Sequence, residues 1–148
     1  MSSKPQPESR QNFKHFSVIP TRWMDNDVYG HVNNVNYYSY FDTAVNKHLI
    51  EEGALNIQES PVIGLVVETQ CNYFASIAFP DTIEAGIRVS KIGNSSVRYE
   101  IGLFKEGEDM CAAKGHFIHV YVERVTNKPT SLPEKLKDVV TQLFHDIN

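Results

Sequence analysis

One segment constrains the fold more than any other: NYYSYFDTAVNKHLIEEG, residues 36–53. Tyr37, Phe41, Ala44, Val45, His48 and Leu49 recur at the spacing that puts them on one helix face. Tyr40 and Ile50 widen that face, so the predicted helix, near residues 36–52, is buried on more than one side. Asn33, Asn34 or Asn36 can cap its start, and Gly53 can close its end in the left-handed conformation. Some 17 residues at about 1.5 Å each give a rod of about 25 Å that needs cover along its length.

The rest of the chain supplies that cover as strands. Phe13 to Trp23 reads as a first strand, with Pro20 restricting it to a sheet edge or a bulge. After the helix come PVIGLVVETQCNYFASIAF, then DTIEAGIRVSK with apolar Ile83, Ala85, Ile87 and Val89 alternating with Glu84, Gly86, Arg88 and Ser90, then SVRYEIGLF and MCAAKGHFIHVYVER. Pro80-Asp81, Gly93-Asn94 and residues 106–109 mark turns. Strands in series with short turns favour antiparallel neighbours. Near the C-terminus Ser131 and Glu134 fit a capping box ahead of Leu132, Leu136, Val139, Val140, Leu143 and Phe144, a short amphipathic helix. A sheet curled around one long helix satisfies this α+β order.

With 148 residues, 41% hydrophobic and 22% charged, the chain suits one soluble domain. Residues 1–12 are polar, carry two prolines and show no periodicity, so they read as a disordered or loosely attached arm before a domain spanning 13–148. A net charge of −4 argues against a nucleic-acid partner. No stretch approaches the roughly 20 apolar residues of a membrane span, and the N-terminus has no apolar run of a secretory signal. Cys71 and Cys111 belong to no metal spacing and read as buried, reduced thiols. A cytoplasmic protein is expected.

The chemistry concentrates between the first strand and the helix, in TRWMDNDVYGHVNN, residues 21–34. First-turn N–H groups of a helix lack intrahelical partners, and the dipole adds about half a positive charge there. Such amides can polarise a carbonyl, while a carboxylate a few residues earlier attacks it or activates a water. Gly30 would let a ligand approach the main chain closely.

The pattern D-x-D-x-x-G-H-V-N-N-x-x-Y, Asp25 to Tyr37, resembles the hotdog-fold acyl-CoA thioesterases, in the branch named for 4-hydroxybenzoyl-CoA thioesterase. The resemblance continues through Tyr38, Phe41, Asp42 and Ala44 on the helix and the later Gly93, Ser95 and Ser96, over about residues 13–145. It implies a hotdog fold, one long helix wrapped by a curved antiparallel sheet. It implies hydrolysis of acyl-CoA thioesters, with Asp27 as the catalytic carboxylate, backbone amides around Gly30 and His31 as the oxyanion site, and the His31 side chain touching substrate or orienting Asp27. Asp25 reads as structural. Asn34, Tyr37, Thr69, Ser95 and Ser96 are the implied substrate-binding residues, Thr69 completing a pocket between subunits and the two serines lying near the pantetheine or phosphates. The implied assembly is a homodimer or homotetramer. No cofactor is implied beyond the CoA carried by the substrate, and no metal.

Val28 follows Asp27 where the 4-hydroxybenzoyl-CoA enzyme has proline, and that enzyme lacks H-x-N-N, which turns the reading toward a general acyl-CoA thioesterase. Hotdog hydratases generally carry Asp-x-Asn-Pro-x-His, and this chain has neither the Asn-Pro nor that spacing between Asp27 and His31. A non-catalytic acyl-CoA or acyl-carrier-protein binding module is the other alternative. No G-x-S-x-G and no H-E-x-x-H is present.

Overall fold

A helix with one broad buried face fixes the architecture, although Ile50, expected to widen that face, is exposed. In the computed structural model, which describes residues 4–145, α1 runs Asn34–Glu51. The Asn33 side chain accepts from the Val35 N–H over 3.1 Å and starts it. Gly53, at φ +78°, ends it, with Ala54 N–H returning to the Leu49 carbonyl at 2.8 Å. Phe41, Ala44 and Val45 are fully buried, and Tyr37, Tyr40 and Leu49 nearly so. Burying large side chains of this kind contributes about 1.5–3 kcal/mol each.

The partner surface is one five-stranded sheet. β1 (His15–Pro20), β2 (Val62–Tyr73), β3 (Thr82–Ile92), β4 (Ser96–Lys105) and β5 (Ala113–Glu123) lie in the order β1-β3-β4-β5-β2, every pairing antiparallel. This is the expected hotdog arrangement. β1 is an edge strand and ends at Pro20, as that residue's missing N–H requires. Ile83, Ala85, Ile87 and Val89 of β3 share one core with Val97, Tyr99, Ile101 and Leu103 of β4 and with α1. Gly115 of β5 lets the helix come close: a Cβ there would stand 2.5 Å from Phe41 Cε2. β2 forms the other edge, bulged between Val66 and Glu68 and exposing Leu65, Val66, Val67 and Tyr73.

The first three residues of the expected arm and the last three of the expected domain lie outside the described residues. From Glu8 onward the arm departs from expectation, because Glu8 has a buried cation to meet. On the sheet face away from α1, Arg88 is only 2% exposed. Its guanidinium contacts Glu100 and Glu8 at 2.7 Å each and stacks 4.6 Å from the Phe13 ring centroid. Glu8 also meets Lys114 at 2.7 Å, Ser9 bridges Met110, and Arg10 pairs with Glu84. Residues 8–13 are thus strapped across the sheet rather than loosely attached.

α2 (Glu134–Gln142) packs Leu136, Val139 and Val140 into the core. The expected Ser131–Glu134 capping box does not form. Helix α2 begins later, after Pro133, so Ser131 lies outside the capping position and turns to Asn94 at 3.4 Å.

Candidate active site

The loop between β1 and α1 is held from beneath by Asp25, which is 1% exposed. Its carboxylate accepts from Arg22 N (2.9 Å), Arg22 Nη2 (2.8 Å) and the Tyr40 hydroxyl (2.7 Å). Its carbonyl accepts from Asn33 N (2.8 Å) and Asn36 Nδ2 (3.0 Å). Burial opposes a charge here, but the hydrogen bonds from Arg22 and Tyr40 prevail and hold the Asp25 carboxyl below the ordinary aspartate range. Its two carboxylate oxygens are occupied, so Asp25 is a structural anchor.

Above that anchor the chain makes a small hairpin. Asn26 bridges Val32, and Asp27 N–H donates to the His31 carbonyl at 2.8 Å. Gly30 takes φ +82°, and a Cβ there would meet nothing within 4 Å. Glycine is therefore needed for the turn's backbone conformation, and the space beside it is open. Asp27 Oδ1 accepts from Tyr29 N at 2.8 Å and His31 N at 3.3 Å. Oδ2 has no hydrogen-bond partner among the described residues. One oxygen thus fixes the carboxylate, and the other is free to act.

The amides expected at the oxyanion site are engaged within the loop. Gly30 N–H is taken by the Asp27 carbonyl at 3.0 Å and His31 N–H by Asp27 Oδ1. In the first turn of α1, Val35 and Asn36 are satisfied by Asn33 at 3.1 and 2.9 Å. Asn34, the first residue of α1, keeps a backbone N–H with no acceptor among the described residues. At this cleft the Asn34 N–H is thus a donor open to an incoming group, with the helix dipole behind it.

Asp27, His31, Asn34 and Tyr37 line one cleft of about 370 Å³, closed on the far side by Tyr73, Phe74, Ala75 and Ser76. Tyr37 and Tyr73 meet edge to face, ring centroids 4.8 Å apart. Burial pushes the Tyr37 phenol above its ordinary value. Phe74 N and Ala75 N both donate to the Ala112 carbonyl, which fixes this wall where β2 ends. Sequence reasoning missed Ser76; its only signal was the end of the strand pattern before Phe79-Pro80.

Three expected substrate contacts are not brought to this cleft within one chain. Thr69 lies on the free β2 edge, its hydroxyl donating to the His116 carbonyl at 3.2 Å. Ser96 pairs with Val120, which pairs with Leu65, eight residues up β2 from Tyr73. That is roughly 25 Å along the strand. Ser95 accepts from Tyr121 N beside it.

The model of the thioesterase-like superfamily matches residues 21–140, which include the whole hairpin, the sheet from β2 onward and most of α2. The chain belongs to the thioesterase-like superfamily. Among solved structures, this thioesterase-like chain is similar to the PA5185 protein of Pseudomonas aeruginosa strain PAO1, with 52% identity, TM-score 0.94, and 97% of this chain and 100% of that one covered. It is also similar to a thioesterase from Thermus thermophilus crystallised with coenzyme A and zinc, with 28% identity, TM-score 0.74, and 90% and 96% covered. Among curated proteins it is 23% identical to YsmA of Bacillus subtilis strain 168 over 137 residues, 92% of this chain and 91% of YsmA.

Proposed function

We propose that the protein hydrolyses acyl-CoA thioesters to a carboxylic acid and CoA. The observation that carries this reading is the Asp27 carboxylate, fixed through Oδ1 and free at Oδ2, in a cleft at the N-terminus of α1 of a thioesterase-like chain. A Thermus thermophilus relative binds coenzyme A, which supports the CoA half of the substrate.

The thioester carbonyl sits with its oxygen on the Asn34 N–H, where the helix dipole stabilises developing negative charge. In one route Asp27 Oδ2 takes a proton from water, and the hydroxide adds to the carbonyl carbon. The tetrahedral intermediate then collapses, breaks the C–S bond and releases CoA thiolate, which recovers the proton from Asp27. In the other, Oδ2 adds to the carbonyl carbon, the C–S bond breaks to release CoA thiolate and leave a mixed anhydride, and water attacks the Asp27 carbonyl carbon of that anhydride to free the acid, its proton going to the thiolate. A single turnover in oxygen-18 water distinguishes them, because only the second leaves label in Asp27. His31 and Tyr37 flank the acyl end in either route.

The functional unit in this proposal is a homodimer, the simplest of the expected assemblies, built on the outer edge of β2. That edge is unpaired in one chain and carries Leu65, Val66, Val67 and Tyr73 exposed. Antiparallel pairing of two such edges puts Thr69 near the middle of the seam and sets Ser95 and Ser96 of one copy towards the Asp27 end of the other. No helix among the described residues is long and apolar enough to cross a membrane, and both cysteines are free. A cytoplasmic location belongs to the same proposal. The test is thiol release from a panel of acyl-CoAs, acetyl to palmitoyl with benzoyl and phenylacetyl. Turnover abolished by Asp27→Asn supports it; binding without turnover makes the protein a carrier instead.

A further inference from the structure

A second cavity of about 340 Å³ lies at the opposite end of α1, between Leu49, Leu55, the start of β2 at Val62 and Gly64, and His119 and Tyr121 of β5. It has room for roughly ten non-hydrogen atoms, taking about 30 Å³ for each. Fully buried Phe41, Ala44 and Val45 fill the space between α1 and the sheet, so within one chain this cavity does not run through to the Asp27 cleft.

His119 gives the cavity its chemistry. It is 4% exposed, and its Nε2 is buried with no hydrogen-bond partner among the described residues. Its Nδ1 lies 3.4 Å from the Tyr121 hydroxyl, which lies 2.7 Å from the hydroxyl of Tyr99. A relay that gives every hydroxyl proton an acceptor runs one way. Tyr99 is fully buried, and among the described residues its hydroxyl has only Tyr121 to donate to. If Tyr99 donates to Tyr121, Tyr121 donates to His119 Nδ1, and the imidazole proton resides on Nε2. The reverse order would strand the Tyr99 proton in the core. Burial draws the imidazole pKa down to about 4 and lifts the Tyr121 phenol to about 12, so the relay is neutral throughout the physiological range. Gly64 makes room for it: a Cβ there would stand 2.9 Å from both His119 Nδ1 and Tyr121 Cε1.

We infer that this cavity receives the acyl tail of a thioester held at the Asp27 cleft of a second copy, and that His119 Nε2–H selects tails carrying an oxygen acceptor such as a ketone. The inference rests on the thioesterase reading. The route is geometric: Val62 to Gly64 at the start of β2 line the cavity, Tyr73 at its end lines the cleft, and antiparallel pairing of two β2 edges sets start against end. An apolar tail meets Leu49, Leu55 and Leu136, and its oxygen supplies the partner that Nε2 lacks.

The test compares kcat/KM for hexanoyl-CoA and for its analogue with a ketone on the penultimate carbon. Wild type is expected to favour the ketone by about tenfold, the worth of one net hydrogen bond. His119→Leu is expected to lose that preference and His119→Gln, which keeps a donor, to retain part of it. Leu55→Trp, which fills the rim without touching the relay, is expected to remove the preference and raise KM for both compounds; it serves if His119→Leu fails to fold. Calorimetry of the matching unhydrolysable thioethers on Asp27→Asn reads the same preference without turnover. No preference in wild type, or an undiminished one in both His119→Leu and Leu55→Trp, overturns the inference and leaves the thioesterase reading intact. A preference in binding with no turnover of any thioester keeps the pocket and overturns the thioesterase reading. Absence of both overturns both.

Discussion

The Tyr40 hydroxyl, on α1, donates to the Asp25 carboxylate, in the loop before it, over 2.7 Å. This bond joins the segment that carries Asp27 to the helix that carries Asn34. Tyr40→Phe removes the donor and leaves a buried carboxylate short of one partner. It is expected to lower stability by about 1–3 kcal/mol, read by denaturant unfolding. Asp25→Asn is expected to destabilise in the same range, with a pH signature. The folded-state pKa of Asp25 is depressed, so its charge stabilises the fold above about pH 4 and that stabilisation fades as pH falls through the lower folded value. The stability gap between wild type and Asp25→Asn should therefore narrow below about pH 4.

Asp27→Asn should fold like the wild type, because Oδ1 can still accept from Tyr29 and His31, yet lose on the order of 10²-fold or more in kcat. Residual kcat of Asp25→Asn, measured at a temperature where it is folded, should exceed that of Asp27→Asn. The reverse order would move the catalytic role two residues upstream.

Glu8→Gln should loosen the strap over the sheet. Arg88 draws the Glu8 carboxyl down to about 2 against the opposing effect of burial, with Lys114 assisting. The stabilisation is complete above the ordinary glutamate pKa and is lost as pH falls toward 2. The variant should lose on the order of 2 kcal/mol at neutral pH, because among the described residues it leaves buried Arg88 with Glu100 as its one carboxylate. Faster proteolysis within residues 4–12 should accompany the lower melting temperature, and the gap to wild type should shrink in acid.

Gly115→Ala tests the seat of the helix. The added Cβ meets the Gln70 carbonyl oxygen and, at 2.5 Å, the Phe41 ring, closer than packed atoms stand. The expected cost is about 1–3 kcal/mol of overpacking, with Phe41→Leu in the same background recovering part of it.

Val67→Lys tests the assembly. Val67 is 60% exposed on the free β2 edge, so the change should leave the fold of one chain intact. Light scattering should show wild type as a dimer or larger at micromolar concentration and the variant shifted to monomer, with thioester turnover falling in step.

The long helix and the strand series were legible because burial is written into residue spacing: Phe41, Ala44 and Val45 sit where a helix must hide them. Pro20 and Gly53 acted as punctuation because each restricts or frees the backbone whatever its neighbours are. Arg88 was illegible for the opposite reason. Alternation placed it on the outer face of β3, but what covers that face is a segment 80 residues earlier, and no local pattern records such a meeting. The structural place of Asp25 agrees with the expectation drawn from the resemblance, whereas the state of each amide was not legible. Whether Gly30 N–H or Asn34 N–H is left free depends on hairpin closure through Asn26 and Val32, a tertiary event. Ser131 and Glu134 had the right residues at the right spacing, and the later start of α2 moved the cap away from them.

The tie from Asp25 to Arg22, Asn33, Asn36 and Tyr40 makes one side of the cleft a single stiff piece, while the other side, beyond the Tyr73–Ala113 pair, is held by the Phe74 and Ala75 amides and by Val32 N–H on the Ile77 carbonyl, leaving the Ser76 hydroxyl without a partner among the described residues. Tolerance to change is therefore lopsided. Libraries that vary residues 73–76 should yield folded proteins with altered acyl preference, whereas libraries across residues 22–33 should yield mostly insoluble protein; diversification of this protein has one hinge side and one working side.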